Sequence, residues 1–449
     1  MFLERIAVDA KTLMLVSPHK MMRSNFLFWG GRGFWAIMDQ GTFAISNFVI
    51  SLLLARWLSP EEYGAFAVSF TVFLLVGNLH AGILIEPMLV FGKSKYRTCL
   101  RQYLKVLQYS HWIFSALGSI LFMISGFAAW YEGMELLAFS LFGFAVGSPA
   151  ILFLWLMRRF CYVDLEPELA AQAGIFYLIL MSFGIYLLNT GELLSAFSAL
   201  CVIGLASLCS AFWIWFNFSA DTQPSHIEEL KINVWRDHRG YGTWASGTNI
   251  MMWIPGNIYF LFLPVFSGFE AAGALKALLS LIMPIQQAFA AIGTILLPIL
   301  VTVRDKLGYR RAVYSTLAIL GATSLFYWCF LFLFNHSVVA WLYNGKYDSY
   351  ADLLWLLGLL PIFASAVTVF GSSLRALERP DRPFWAYVFS SAFTISIGIA
   401  IMALWGVLGA VLGLVFSYIV TASFLWLFHL SLNTTTVRPK FQASLEPTI

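Results

Sequence analysis

Residues 63–91 read YGAFAVSFTVFLLVGNLHAGILIEPMLVF, a stretch in which Glu86 is the only acidic side chain and lysine and arginine are absent. Roughly 20 apolar residues are enough to cross the hydrocarbon core of a bilayer as a helix. A membrane β-barrel would instead show alternating polarity over segments of about ten residues. Inside lipid the backbone must satisfy its own hydrogen bonds, and a helix does so within one segment. The stretch therefore predicts a membrane-spanning helix.

Eleven further apolar runs lie on either side of this stretch, and short polar connections separate most of them. Charged residues make up only 11% of the 449 positions, and mean hydropathy is +0.79, whereas a soluble protein carries about 25% charged residues. This composition excludes a soluble enzyme, a nucleic-acid-binding protein and a disordered protein. The twelve predicted spans, numbered in chain order, cover about 33–57, 63–91, 106–130, 135–157, 169–188, 193–218, 241–265, 272–303, 313–334, 352–373, 384–404 and 406–430.

Most of the 27 lysine and arginine residues fall in alternate connections, and the remaining connections are mainly acidic. Short cytoplasmic loops of membrane proteins carry an excess of these cations. The pattern therefore predicts a multi-pass protein with both termini in the cytoplasm. The predicted organisation is a cytoplasmic N-terminal segment that could form an interfacial helix (1–31), an N-lobe with helices one to six (32–218), a cytoplasmic linker (219–240), a C-lobe with helices seven to twelve (241–430) and a cytoplasmic tail (431–449).

The two halves resemble each other at the ends of their first two spans. Each half holds six spans, so a duplication would produce parallel repeats related by an axis along the membrane normal. Chance similarity is the alternative, because glycine and proline are common in membrane helices. We predict an all-α integral membrane protein with about twelve transmembrane helices in two parallel six-helix repeats around a central cavity. The positions that match, with offsets between 207 and 211, are Gly33 and Gly240, Gly64 and Gly273, and Pro87 and Pro298.

Polar side chains recur at helical spacing on spans one and two and on their repeat partners, spans seven and eight. Intramembrane polar groups usually face a bundle interior or a water-filled cavity, so these stripes favour a cavity between the two lobes. The alternative is hydrogen bonding between neighbouring helices. The stripes contain Asp39, Thr42 and Ser46 on span one, Asn78 and Glu86 on span two, Asn249 and Asn257 on span seven, and Lys276, Ser280 and Gln287 on span eight.

Four charges within or near the spans are not explained by topology. Lys276 and Arg56 are candidates for binding an anionic substrate group, and Asp39 and Glu86 are candidates for ion coupling or gating. Three of them also have a structural alternative. Arg56 could extend to the nearby interface, Asp39 could pair with Arg32 on the same helix face, and Glu86 could pair with a cytoplasmic lysine.

The sequence carries no signature of catalysis or of a bound cofactor. Its five cysteines form neither a Cys-x-x-Cys pair nor a cluster with histidine, a pattern that would indicate a metal site or a disulfide framework. Motifs for nucleotide binding, for zinc-dependent hydrolysis and for a serine nucleophile are also missing. We therefore predict a protein that is not an enzyme, with no cofactor, metal or catalytic residue.

Four segments resemble the polysaccharide-transporter (O-antigen flippase) branch of the multidrug/oligosaccharidyl-lipid/polysaccharide exporter superfamily. The resemblance extends over roughly residues 30–430. The segments are LARWLSPEEYGAFAVSF (54–70), IEPMLVFGKSKYR (85–97), WLYNGKYDSYADLLWLLGLLPIF (341–363) and LRALERPDRPFW (374–385).

The resemblance implies two six-helix lobes that move an undecaprenyl-diphosphate-linked oligosaccharide across the bacterial inner membrane by alternating access. The cargo would be an O-antigen, capsule or exopolysaccharide repeat unit. Implied partners are this lipid-linked oligosaccharide, membrane lipids, a glycan polymerase and a chain-length regulator. In related flippases, cavity cations on spans one, two and eight meet the diphosphate. Lys276 and, less clearly, Arg56 match that pattern, whereas the acids Asp39 and Glu86 depart from it.

Two other functions remain open at this level. Carboxylates deep in the spans also suit a cation-coupled small-molecule or multidrug antiporter of the same superfamily. An integral-membrane glycan polymerase would need catalytic residues, and none stands out. The predicted substrate-binding residues are Lys276, Arg56, Ser280, Gln287, Asn249, Asn257 and Asn78, and the predicted ion-coupling or gating residues are Asp39 and Glu86.

Overall fold

The computed structural model describes residues 18–217, 227–304 and 308–433. Side chains are described at positions 31, 33–217, 230–304 and 308–432. Most of the predicted N-terminal segment, the first part of the predicted linker and nearly all of the tail lie outside the described residues. Within them the regular elements are helices, and no strand occurs.

The first half contains the six predicted spans. Pro167 and Pro60 stand in the first turns of their helices, where a proline costs no hydrogen bond. The helices are Pro18–Trp57 for span one, Pro60–His80 with the π-helical turn Ala81–Ile85 and Glu86–Phe91 for span two, Leu100–Tyr131 after the 3₁₀ turn Arg97–Cys99 for span three, Glu135–Val163 for span four, Pro167–Thr190 for span five and Ala196–Asn217 for span six.

The second half contains four helical stretches that could cross a bilayer, two of which hold two spans each. Spans seven and eight meet at Gly268 (φ 79°) and spans eleven and twelve at Gly406 (φ 57°), because glycine adopts positive φ without a steric penalty. The helices are Ile227–Val303 for spans seven and eight, Gly308–Tyr343 for span nine, Asp348–Leu353, Leu354–Leu357 and Leu360–Ala376 for span ten, and Asp381–Phe393, Thr394–Gly398 and Ile399–Asn433 for spans eleven and twelve.

These breaks confirm the prediction of about twelve helices, including the boundary placed near Leu404–Gly406. The cytoplasmic linker at residues 219–240 stays a prediction, although part of it is helical. Residues 227–240 form the first turns of the helix of span seven, because an apolar run marks only the part of a helix that lies in lipid, and a helix can extend beyond it into the headgroup region.

The two halves meet where spans two and eight cross near their predicted outer ends. A Cβ atom on Gly64 would overlap the carbonyl of Phe269, and a Cβ atom on Gly273 would overlap the carbonyl of Pro60. Gly64 and Gly273 are a pair of repeat-equivalent positions, so the halves approach each other through the same point of each repeat. Small residues at such a crossing allow two helix backbones to come into contact.

Candidate functional site

A cavity of about 300 Å³ lies inside the N-lobe, enclosed by spans one, two, four, five and six, with span eight closing one side. Its polar lining groups include Asn47, Ser51 and Gln287. Gln287 was predicted, whereas Ser51 was missed because a single serine in an apolar helix has little significance. Aromatic rings form much of the remaining wall, namely those of Phe43, Phe66, Phe70, Phe73, Phe144, Trp155 and Tyr177.

Lys276 extends into this cavity from the C-lobe. Its side chain is 9% exposed, and its ammonium lies 4.4 Å from the ring centre of Phe70 and 6.0 Å from that of Phe260. Within the described part of the chain, the ammonium forms neither an ion pair nor a hydrogen bond. A ring face attracts a cation, but it compensates only part of the cost of burying a charge. The cavity therefore presents a positive charge that an anion could neutralise.

Asp39 lies in a different environment, completely buried between spans one and four. Its Oδ1 accepts hydrogen bonds from Arg158 Nε (3.0 Å) and Nη2 (2.7 Å). Its Oδ2 accepts from the Tyr162 hydroxyl (2.6 Å) and from Gln40 Nε2 (3.0 Å). The guanidinium of Arg158 also stacks 4.1 Å from the ring centre of Phe43. Asp39 thus has a full set of partners, and its coupling role stays a prediction.

Arg158, the partner of Asp39, did not stand out in the sequence. Arg158 and Arg159 are adjacent at the predicted cytoplasmic end of span four, so both fit the pattern of loop cations. Only the packing of span four against span one shows that Arg158 is buried and pairs with Asp39. The stripe that contains Asp39 and Thr42 faces the N-lobe interior, since Gly174 on span five lies against both side chains. This differs from the predicted orientation toward the other lobe. The proposed alternative partner, Arg32, has a side chain outside the described set.

Arg56 lies at the predicted outer end of span one, away from the N-lobe cavity. Its Nη1 donates to the carbonyls of Trp341 and Leu342 (both 3.1 Å) at the end of span nine. Lys346 in the following loop donates to the carbonyls of Arg56 and Leu58 (both 2.8 Å). Carbonyls at a helix end need such donors. These four bonds tie the two lobes together at this end.

A tyrosine in the loop after span nine also lies at the contact between the lobes at the predicted outer end. Burial raises the pKa of the Tyr347 hydroxyl, and the nearby acids Glu61 and Glu270 raise it further. The phenol therefore stays neutral at physiological pH, which suits its complete burial at the lobe contact.

Two predicted residues, Asn78 on span two and Asn249 on span seven, lie at the contact between these two helices. The Asn249 side chain donates to the carbonyl of Asn78 (3.3 Å), and Ser246 packs against Gly82. Glu86 is exposed and, within the described residues, pairs with no cation. Asn78 and Asn249 therefore fit the alternative of helix–helix contact better than a cavity lining.

Further contacts hold this seam at its predicted cytoplasmic end. Asp237 accepts from Tyr96 (2.6 Å) and pairs with Lys95 (2.6 Å). The hydroxyl of Tyr103 lies 2.6 Å from His238 Nε2. A groove of about 1010 Å³ runs beside the seam. The lobes thus touch along spans two and seven here and leave open space next to the contact.

Two predicted residues lie elsewhere in the C-lobe. Ser280 is buried, donates to the carbonyl of Ala277 (2.7 Å) and contacts the hydroxyl of Tyr343 (2.8 Å). Asn257 donates to the carbonyl of Trp253 (2.9 Å) and lines a second cavity, inside the C-lobe. The described residues contain no cluster of histidine, cysteine or acidic side chains that could hold a metal ion.

Comparison with known proteins identifies both a sequence family and a fold. Residues 53–352 match the model of a family described as "Polysaccharide biosynthesis protein". No curated protein matches the sequence.

Three solved structures illustrate the shared fold. An inward-facing multidrug resistance MATE family transporter of the MOP superfamily has a TM-score of 0.70 and 15% identity over 90% of this chain and 100% of its own. The lipid II flippase MurJ in an inward closed conformation has a TM-score of 0.66 and 15% identity over 90% of this chain and 87% of its own. A MOP superfamily transporter from Pyrococcus furiosus has a TM-score of 0.63 and 15% identity over 90% of this chain and 95% of its own. The reverse polarity of its binding pocket is described as suggesting a different function.

Proposed function

The chain belongs to the family of polysaccharide biosynthesis proteins, and on this premise we propose that it moves a lipid-linked oligosaccharide across the bacterial inner membrane by alternating access. The proposed cargo is an undecaprenyl-diphosphate-linked repeat unit of O-antigen, capsule or exopolysaccharide. Both termini would lie in the cytoplasm. A glycan polymerase and a chain-length regulator are the proposed functional partners.

The observation that carries this proposal is the environment of Lys276. The side chain crosses from one lobe into the cavity of the other and has no counter-ion among the described residues. A diphosphate would bring the missing negative charge, and hydrogen bonds between ionised partners are roughly twice as strong as neutral ones. Gln287 and Asn47 line the same cavity and would bind neighbouring oxygens of the cargo.

The contacts between the lobes support a rocking motion. Gly64 and Gly273 close the predicted outer end, and Asp237 with its partners holds one side of the predicted cytoplasmic end. Outward opening would separate Gly64 from Gly273. It would also alter the contact between the lobes at the place where Lys276 reaches from the C-lobe into the N-lobe cavity. The lipid tail would remain in the bilayer between the lobes.

Replacing Lys276 with methionine tests this function. We expect Lys276→Met to reduce transfer of lipid-linked oligosaccharide in proteoliposomes by about tenfold or more, since a hydrogen bond to a charged group contributes roughly 1.5–3 kcal/mol. Lys276→Arg should retain part of the activity. The matched control is Lys93→Met, because Lys93 is 45% exposed in a loop. Full transfer by Lys276→Met at normal abundance would exclude the proposed role.

A multidrug antiporter is the second candidate, and the aromatic wall of the N-lobe cavity favours it. Organic cations commonly bind to aromatic rings. Lys276 lies in the same cavity, however, and would repel a cation, and Arg158 already neutralises Asp39. An efflux assay with cationic dyes separates the two functions. Dye transport by the wild-type protein without transfer of lipid-linked oligosaccharide would favour the antiporter.

A further inference from the structure

A second cavity, of about 320 Å³, lies inside the C-lobe between spans seven, eight, ten, eleven and twelve. It is the repeat counterpart of the N-lobe cavity. Asn257 and Tyr387 line it, and the residues 210 positions earlier, Asn47 and Tyr177, line the first cavity. The two repeats therefore each enclose a space at the same place in the fold.

The chemistry of the two lobe interiors differs at one pair of positions. In the N-lobe Asp39 and Arg158 form a buried ion pair. The residues 210 positions later are Asn249 and Thr368, which are neutral, and Thr368 lines the C-lobe cavity. The C-lobe interior thus lacks the charge pair and keeps a cavity with uncharged polar walls.

Several polar groups in this cavity have free hydrogen-bonding capacity. Over the described ranges, the hydroxyls of Tyr387 and Thr368 make no hydrogen bond to the protein. The amide of Gln286 lies beside the Tyr418 hydroxyl. Asn257 uses one amide hydrogen on a backbone carbonyl, which leaves its oxygen and second hydrogen available. An amide can make four hydrogen bonds and a hydroxyl three.

We propose that the C-lobe cavity binds a neutral sugar unit of the transported oligosaccharide. Amide and hydroxyl groups match the hydroxyls of a sugar, which both donate and accept, and tyrosine rings can pack against its apolar faces. Among the described residues, the cavity lining contains no carboxylate that would select a metal cation and no lysine or arginine that would select a phosphate. This inference rests on the function proposed above and assigns the sugar part of the cargo to a separate site.

Span eight connects this site to the first cavity. Gln286 lines the C-lobe cavity and Gln287 lines the N-lobe cavity, because consecutive helical residues point about 100° apart. One helix therefore presents an amide to each cavity, and Lys276 lies further along the same helix. A cargo with a phosphate next to a sugar could contact both cavities at once.

Binding of simple glycosides to the purified full-length protein tests the inference. The probes are the methyl glycosides of glucose, galactose, rhamnose and N-acetylglucosamine, measured by saturation-transfer NMR in detergent. We expect at least one to bind the wild-type protein. Gln286→Leu and the nearly isosteric Tyr387→Phe should each weaken that binding by about five- to tenfold, since each removes hydrogen bonds that contribute roughly 1 kcal/mol each.

Tyr186→Phe is the matched control, because Tyr186 is 53% exposed on span five and lines neither cavity, and this variant should bind the glycoside like the wild-type protein. The inference is overturned if no probe binds, if the two C-lobe variants bind normally, or if sodium ions instead of glycosides bind in the cavity. Transfer of lipid-linked oligosaccharide by a wild-type protein that binds no glycoside would overturn the sugar site alone. Absence of such transfer would overturn both proposals.

Discussion

Removing the carboxylate of Asp39 should be one of the most destabilising single changes in the N-lobe. Asp39 is fully buried, and Arg158 is 6% exposed. Two bonds from Arg158 and one each from Tyr162 and Gln40 saturate the carboxylate. Asp39→Leu leaves the guanidinium buried with no counter-ion, because no second acid among the described residues contacts it.

The magnitude follows from this burial. Breaking a buried ion pair by removing one partner costs roughly 3–5 kcal/mol, whereas replacing both partners with apolar residues of similar volume is often neutral. We therefore expect Asp39→Leu to lower the free energy of unfolding by about 3–5 kcal/mol. The double variant Asp39→Leu/Arg158→Met should recover most of that loss, since it leaves no uncompensated charge.

Titration of the purified protein with sodium dodecyl sulfate in mixed micelles measures these free energies. Asp381→Ala is the control, because its ion pair with Arg379 is 38–49% exposed and an exposed pair contributes at most about 1 kcal/mol. The reasoning is refuted if Asp39→Leu unfolds like this control. It is also refuted if the double variant is as unstable as the single variant.

Two further predictions concern the contacts between the lobes. Gly64→Ala should separate spans two and eight at the predicted outer end and reduce transport strongly, because the added Cβ has no space. The control Gly321→Ala should transport normally, since nothing lies within 4 Å of that position. Equal transport rates for the two variants would contradict the tight crossing. Asp237→Ala should make tryptic cleavage after Lys95 about tenfold faster in inside-out vesicles. The substitution removes the bonds that Asp237 accepts from Lys95 and Tyr96, which together contribute roughly 1.5 kcal/mol or more. An unchanged cleavage rate would show that these bonds do not hold the loop.

Much of the fold could be predicted because membrane insertion depends on local composition. Each span is recognisable from about 20 consecutive residues, and the family match over residues 53–352 confirms the resemblance inferred from four short motifs. Even the narrow boundary at Gly406 was visible as a gap between two apolar runs. The start of the helix of span seven was not visible in the sequence, because the polar residues 227–240 extend the helix beyond the apolar run.

The site was less predictable because side-chain partners come from distant parts of the chain. Lys276 stood out as a lone cation in an apolar helix, and the structure places it in a cavity. The stripes on spans two and seven gave no such guide, since Asn78 and Asn249 bind each other across a helix contact. Helical spacing shows which residues share a face, but it does not show what that face meets.

The sequence alone determined the all-helical membrane class and about twelve spans, because these follow from hydropathy and backbone hydrogen bonding within single segments. Matching glycine and proline positions in the two halves predicted the repeat. Only the tertiary structure decided which charges are neutralised. Asp39 and Arg158 are separated by 119 positions and form one ion pair, whereas Lys276 stays without a counter-ion among the described residues. Electrostatic energy in a low-dielectric interior depends on distances of a few ångströms, and packing between distant helices sets those distances.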